Sequence, residues 1–184
     1  MNLRPTVAII TLLIGGAAAM AQAPPTAKGD RVEILNADRW DFDQHVAPGA
    51  QRLIGHVRFK QADALMRCDS AYLYQDQRVE AFGDVGIQQG DTLEITGDRL
   101  TYSGQERTAT ITGHVRLSDP GMVLTSEALQ YDMRGRRADY DNGARIVSAR
   151  DGKTRSGRHG AYRASERRFM FSGDVRIEHP DRTS

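Results

Sequence analysis

The chain has one cysteine, Cys68, in 184 residues. That excludes an internal disulfide framework and any metal centre built on several thiolates. The five histidines, at positions 45, 56, 114, 159 and 179, never occur as a close pair. Charge of one sign is missing too, since 25 Lys and Arg stand against 24 Asp and Glu. A balanced chain is a poor nucleic-acid binder, because that affinity comes largely from neutralising phosphates. No Ser-His-Asp arrangement, HExxH, Walker loop or CxxC pair occurs, so catalysis has no positive support and neither cofactor nor metal is expected. Apolar residues make up 39% and glycines number 18, together enough for an ordinary folded domain.

Long apolar runs are absent except at the start. Arg4 precedes the run from Val7 to Ile14, and small residues follow through Ala21. This order of charged, apolar and small segments is that of a secretory signal, with Ala19 and Ala21 in the cleavage positions. The run is too weak for a membrane span, and the lack of a following cysteine excludes a lipoprotein signal. Residues 1–21 therefore read as a cleavable signal peptide, 22–31 as a linker, 32–180 as the folded domain and 181–184 as a tail, which also fits a longer chain cut short. Cleavage would remove one charge, Arg4, and leave 24 of each sign. The expected place of work is outside the cytoplasm.

What the sequence does have is a repeat. Gly-x-Val-x-apolar occurs at Gly55-His56-Val57-Arg58-Phe59, at Gly83 to Ile87, at Gly113 to Leu117 and at Gly173 to Ile177. A degenerate copy begins at Gly143, and the glycines are spaced by 28, 30, 30 and 30. A second element, an acid followed by alternating apolar residues, interleaves with the first at Asp38-Trp40-Phe42, Asp69-Ala71-Leu73, Asp98-Leu100-Tyr102 and Glu127-Leu129-Tyr131, with a weaker copy ending at Tyr162. Its last apolar position advances by 31, 29, 29 and 31. Two landmarks keeping one period indicate five units of about thirty residues.

Each unit reads as two strands. Ala109, Ile111, Gly113, Val115 and Leu117 alternate with polar residues, the period of a half-buried strand. A mid-strand glycine costs stability unless a bend requires it, so a row of them predicts a sheet bent along a line. No amphipathic helix follows the signal. One strand pair cannot bury its apolar face alone, whereas stacked pairs share a continuous core. The expectation is an elongated all-β body with an apolar interior along its axis and unpaired strands at both ends, near Val32 to Leu35 and near Phe169 to Ile177.

The runs Cys68-Asp69-Ser70-Ala71-Tyr72-Leu73-Tyr74 and Ala81 to Leu93 resemble the OstA-like family over roughly Val32 to His179. The resemblance implies a twisted, V-shaped β-jellyroll whose apolar groove holds the acyl chains of lipid A. It also implies a periplasmic carrier or bridge that moves lipopolysaccharide to the outer membrane. Its partners would be other bridge proteins or an outer-membrane protein joined strand to strand, or further copies head to tail. Under it, Val57, Phe59, Val85, Ile87, Ile111, Val115, Leu117, Phe171, Val175 and Ile177 would line the groove; periodicity alone fits a closed core equally well. The alternatives are a structural β-repeat module assembling by its edges without cargo, and a glycan-active β-solenoid.

Other repeat-phased residues have plainer readings. Arg58, Arg116 and Arg176 face away from the apolar ladder, as solvent-face charges that discourage edge pairing or as a grip on lipid phosphates. Asp38, Asp69, Asp98 and Glu127 read as turn or strand-start residues, since isolated acids do not make a calcium site. Cys68 is expected to be buried in a strand, and Trp40 and Phe42 to pack as an end cap.

Overall fold

The computed structural model describes residues 31–42 and 49–179; the signal segment, nearly all of the linker and the tail lie outside the described residues. Every described element is a strand, as the period-two pattern predicts, and all pairings are antiparallel. Six long strands form the body: β3 (Ala50–Gln61), β4 (Ala64–Tyr74), β5 (Arg78–Gln89), β6 (Leu93–Ser103), β7 (Thr108–Asp119) and β8 (Met122–Asp132). They follow one another as hairpins and pair in sequence order. Short strands finish both ends. β1 (Glu33–Asn36) and β2 (Arg39–Asp41) come first; β9 (Arg137–Tyr140), β10 (Ala144–Ser148), β11 (Thr154–Gly157), β12 (His159–Arg163), β13 (Arg168–Ser172) and β14 (Arg176–Glu178) come last.

The sheet bends where the glycines stand. In β3, β5 and β7 the ladder register shifts at Gly55-His56, Gly83-Asp84 and Gly113-His114, where two residues oppose one on a neighbouring strand. Both residues of each pair have positive φ, 77° and 47° at Gly113 and His114. A β-bulge of this kind inserts one residue and bends the strand. Glycine takes the first position without strain, and His and Asp are among the residues that tolerate the second.

Three bulges in line crease the sheet into two wings. β1 pairs with the second half of β3 and β2 with its first half. At the other end β10 pairs with the first half of β8 and β9 with its second half. One wing then runs on through β11 to β14, the other through β12 to β13. The degenerate glycine unit accounts for the split, because the strand breaks at Gly143 instead of bulging. The wings fold face to face into a jellyroll. Its core is the buried ladder from Leu53 to Tyr162, drawn from every long strand.

Candidate functional site

The interior between the wings is the candidate site. Val57, Phe59, Val85, Ile87, Ile111, Val115 and Leu117 are all buried there, with Ile111 and Leu117 at 1% and 0% exposure. The other three predicted lining residues stand at the C-terminal end: Phe171 is half-buried against the core, whereas Val175 and Ile177 are exposed. The inward expectation therefore does not hold at Val175 and Ile177. β14 is an edge strand of three residues, and among the described residues no strand pairs its free side. Phe59 and Ile87 border a cavity of about 280 Å³ that the outward Arg58, Arg67 and Glu94 also line, and Phe171 borders one of about 490 Å³ with Thr110, Gln130, Arg137 and Asp139, so neither lies wholly within the apolar interior.

Asp38 stands in a bend at the start of β2, as expected, but the other repeat acids sit elsewhere. Asp69, Asp98 and Glu127 lie in the middle of β4, β6 and β8, not at turns or strand starts, because these strands run straight through the crease. Each of Asp38, Asp69 and Asp98 packs its carboxylate over the bulge glycine that follows in the chain, in the space a Cβ on Gly55, Gly83 or Gly113 would need. Asp38 and Asp98 also bond the histidine beside that glycine, with Nδ1 of His56 and His114 at 2.7 and 2.8 Å. The Asp98 carboxylate raises the pKa of His114 through this bond and its charge. Between the same positions at the last crease the charges are exchanged, Arg158 donating to Asp174.

Outward residues behave as solvent-face charges. Arg58, Arg116 and Arg176 are exposed on the outer surface. Arg67 pairs outside with Asp84 at 2.7 Å and with Glu94. Its neighbour Cys68 points inward and is buried, and burial first, then the Asp69 charge, pushes its thiol up to about 12. Trp40 and Phe42 are not an end cap: their rings stack on each other with centroids 6.4 Å apart and stand exposed. β2 is an edge strand, and among the described residues no element lies beyond it to receive them. Among the described residues, no group of three or more His, Cys, Asp or Glu side chains is placed to hold a metal ion.

Sequence reasoning missed the side opposite the crease, where the wing tips meet. Tyr102 donates its hydroxyl to Oε1 of Gln61 at 2.5 Å, and Tyr131 donates to Oε1 of Gln89 at 2.6 Å. Tyr162 donates to Oδ2 of Asp119 at 2.9 Å. Each bond joins the ends of strands in opposite wings. Gln61 and Gln89 also donate across the seam, to the carbonyls of Gly104 and Met133, both at 2.9 Å. Both glutamines are buried, as buried polar groups are when their bonds are made. Burial raises all three phenols, Tyr102 to about 12. The signal was legible: the tyrosines are 29 and 31 apart and their acceptors 28 and 30 apart, the period of the repeat.

The sequence profile described as OstA-like protein matches residues 29–183. The chain belongs to the OstA-like family. Comparison with curated proteins gives no match. Among solved structures, this OstA-like chain is similar to LptH of Pseudomonas aeruginosa, described as the LptA-homologous periplasmic component of the lipopolysaccharide transport device. Identity is 13%, the alignment covers 84% of this chain and all of that one, and the TM-score is 0.42.

Proposed function

We propose that this OstA-like protein carries lipopolysaccharide through the periplasm, with acyl chains held between its wings and its ends joined strand to strand to other envelope proteins or to further copies of itself. One observation supports this most: a continuous apolar interior, built from equivalent positions of successive units, runs from one open sheet end to the other. An acylated lipid cannot cross water unescorted, since each buried methylene is worth about 0.8 kcal/mol. A carrier therefore needs an extended trough and no chemistry on its cargo. Family membership supports the same reading.

The packing of that interior favours a second reading, a structural module without cargo, because Ile111, Val115 and Leu117 are fully enclosed in this conformation. Photocrosslinking groups distinguish the two. Placed at Ile111, Val115 or Leu117 they are expected to capture lipopolysaccharide in cells, and at exposed Thr112 they are not. Equal capture on both faces, or none in a folded and exported protein, would leave the structural module.

A further inference from the structure

A closed interior poses the question of how a chain gets in. From β3 to β8 the crease side is a continuous ladder of backbone hydrogen bonds interrupted only by bulges. Opposite it, among the described residues, no backbone ladder joins the wing tips; side-chain bonds do, Gln61 and Gln89 donating to the carbonyls of Gly104 and Met133 and three phenol bonds repeating along the seam. The core tyrosines Tyr102 and Tyr131 supply two of them and Tyr162 the third. Arg136 adds an exposed ion pair to Asp63 across the same seam at 2.8 Å. A polar cleft of about 400 Å³ opens between the second and third tyrosines, with Thr92, Arg136, Ser165 and Arg167 among its walls and buried Leu93 beneath.

We propose that this seam is the gate of the interior: the wings part about the crease, the Tyr102–Gln61, Tyr131–Gln89 and Tyr162–Asp119 bonds break, and acyl chains pass sideways between the tips. The proposal rests on the lipid-carrier reading and adds the route and the residues that control it. A hydroxyl bonded to an amide is suited to this. Both groups find water when the seam opens, so the bond exchanges with solvent at small net cost, whereas parting the sheet would leave whole rows of N–H and C=O groups unmade. The cleft, where Arg136 and Arg167 stand beside Asp63 and Asp119, gives the hydrated part of an amphiphile a polar place at the rim while its chains enter.

The test reads opening without cargo first. A reporter cysteine at Ala109, which is buried and cross-strand from both Tyr102 and Tyr131, is placed in a Cys68→Ala chain and its alkylation by N-ethylmaleimide is timed. Adding Tyr102→Phe and Tyr131→Phe is expected to speed labelling at position 109 about ten-fold or more. Native Cys68, paired with Val57 beside the crease, is expected to gain no more than about three-fold from the same changes. The exposed variant Asp63→Asn, which removes the ion pair to Arg136 and the carboxylate that accepts from the Gln89 amide, is expected to speed position 109 by a smaller factor in the same direction. Equal acceleration at both cysteines means opening of the whole fold and overturns the gate. Uptake of fluorophore-labelled rough lipopolysaccharide is then measured on the same chains. Uptake that accelerates in step with position 109 supports the route, and uptake that occurs at an unchanged rate overturns it. Selective labelling at position 109 with no uptake by any chain leaves a moving seam and removes the carrier reading.

Discussion

Asp98 bonds His114 through Oδ2 and Nδ1 at 2.8 Å, and the same carboxylate fills the space where a side chain on Gly113 would have to stand. One acid thus holds both residues of a bulge on the next strand. Asp38 does the same for Gly55 and His56. The acid and the glycine of this repeat are one structural device, separated by about half a unit in sequence and adjacent across the ladder.

Gly113→Ala is expected to destabilise the fold by about 2 kcal/mol or more, through its positive φ and the collision with Asp98. Asp98→Ala alone removes an exposed contact and is expected to cost much less. In the Asp98→Ala background the glycine substitution should cost less than in the parent chain, because only the φ strain remains. Denaturant melts of the four chains measure this. Strict additivity would show that the carboxylate is not the obstacle.

His114 should titrate above the ordinary imidazole value, because the Asp98 carboxylate favours its charged form. The sign follows from linkage. A raised folded-state pKa contributes stability that is fully present below the unfolded value, near 6.5, and is lost as pH rises through the folded value. NMR titration of the His114 ring in the parent and in Asp98→Asn checks it. An unchanged midpoint in the variant would assign the shift to something other than this carboxylate.

The seam tyrosines should resist ionisation. Burial holds Tyr102 at about 12, above the ordinary phenol value of about 10, and it raises Tyr131 and Tyr162 as well. Their stabilising contribution is full below the unfolded value and falls as pH climbs through the folded one, so for Tyr102 the window is roughly 10 to 12. Ultraviolet absorbance during alkaline titration is expected to show the three seam phenols, together with Tyr140, whose pKa burial also raises, ionising only as the fold is lost. All six tyrosines titrating together near 10 in a folded protein would contradict the buried seam.

The exposed apolar residues Trp40 and Phe42 at one end, and Met170 and Ile177 at the other, lie on or directly after short strands at or beside the sheet edges. An unpaired strand edge accepts a strand from a partner, and head-to-tail pairing of unlike ends does not close on itself. Ile177→Lys is expected to shift the protein toward monomer in sedimentation velocity while leaving its thermal melt unchanged, since that side chain is 58% exposed. If the parent chain is already monomeric at high concentration, association with itself is excluded and the ends serve other partners.

The sequence by itself determined the elements and their period. Alternation in Ala109 to Leu117 leaves no choice but a strand with one buried face, and glycines about thirty residues apart had to mark a bend, because nothing else makes them worth their cost in a strand. The identity of the inward residues followed from the same parity, and it held for Val57 through Leu117. Parity could not say where burial stops. Val175 and Ile177 keep the inward pattern and stand in water, because burial needs a facing layer and, among the described residues, none lies over β14 and the residue before it. Nor could local spacing reveal that Asp98 belongs to Gly113, or that Tyr131 belongs to Gln89, 42 residues away. Those partnerships exist only once the sheet has creased and its tips have met, since a hydrogen bond between residues far apart in the chain is fixed by how two layers lie on each other and not by any neighbour in sequence.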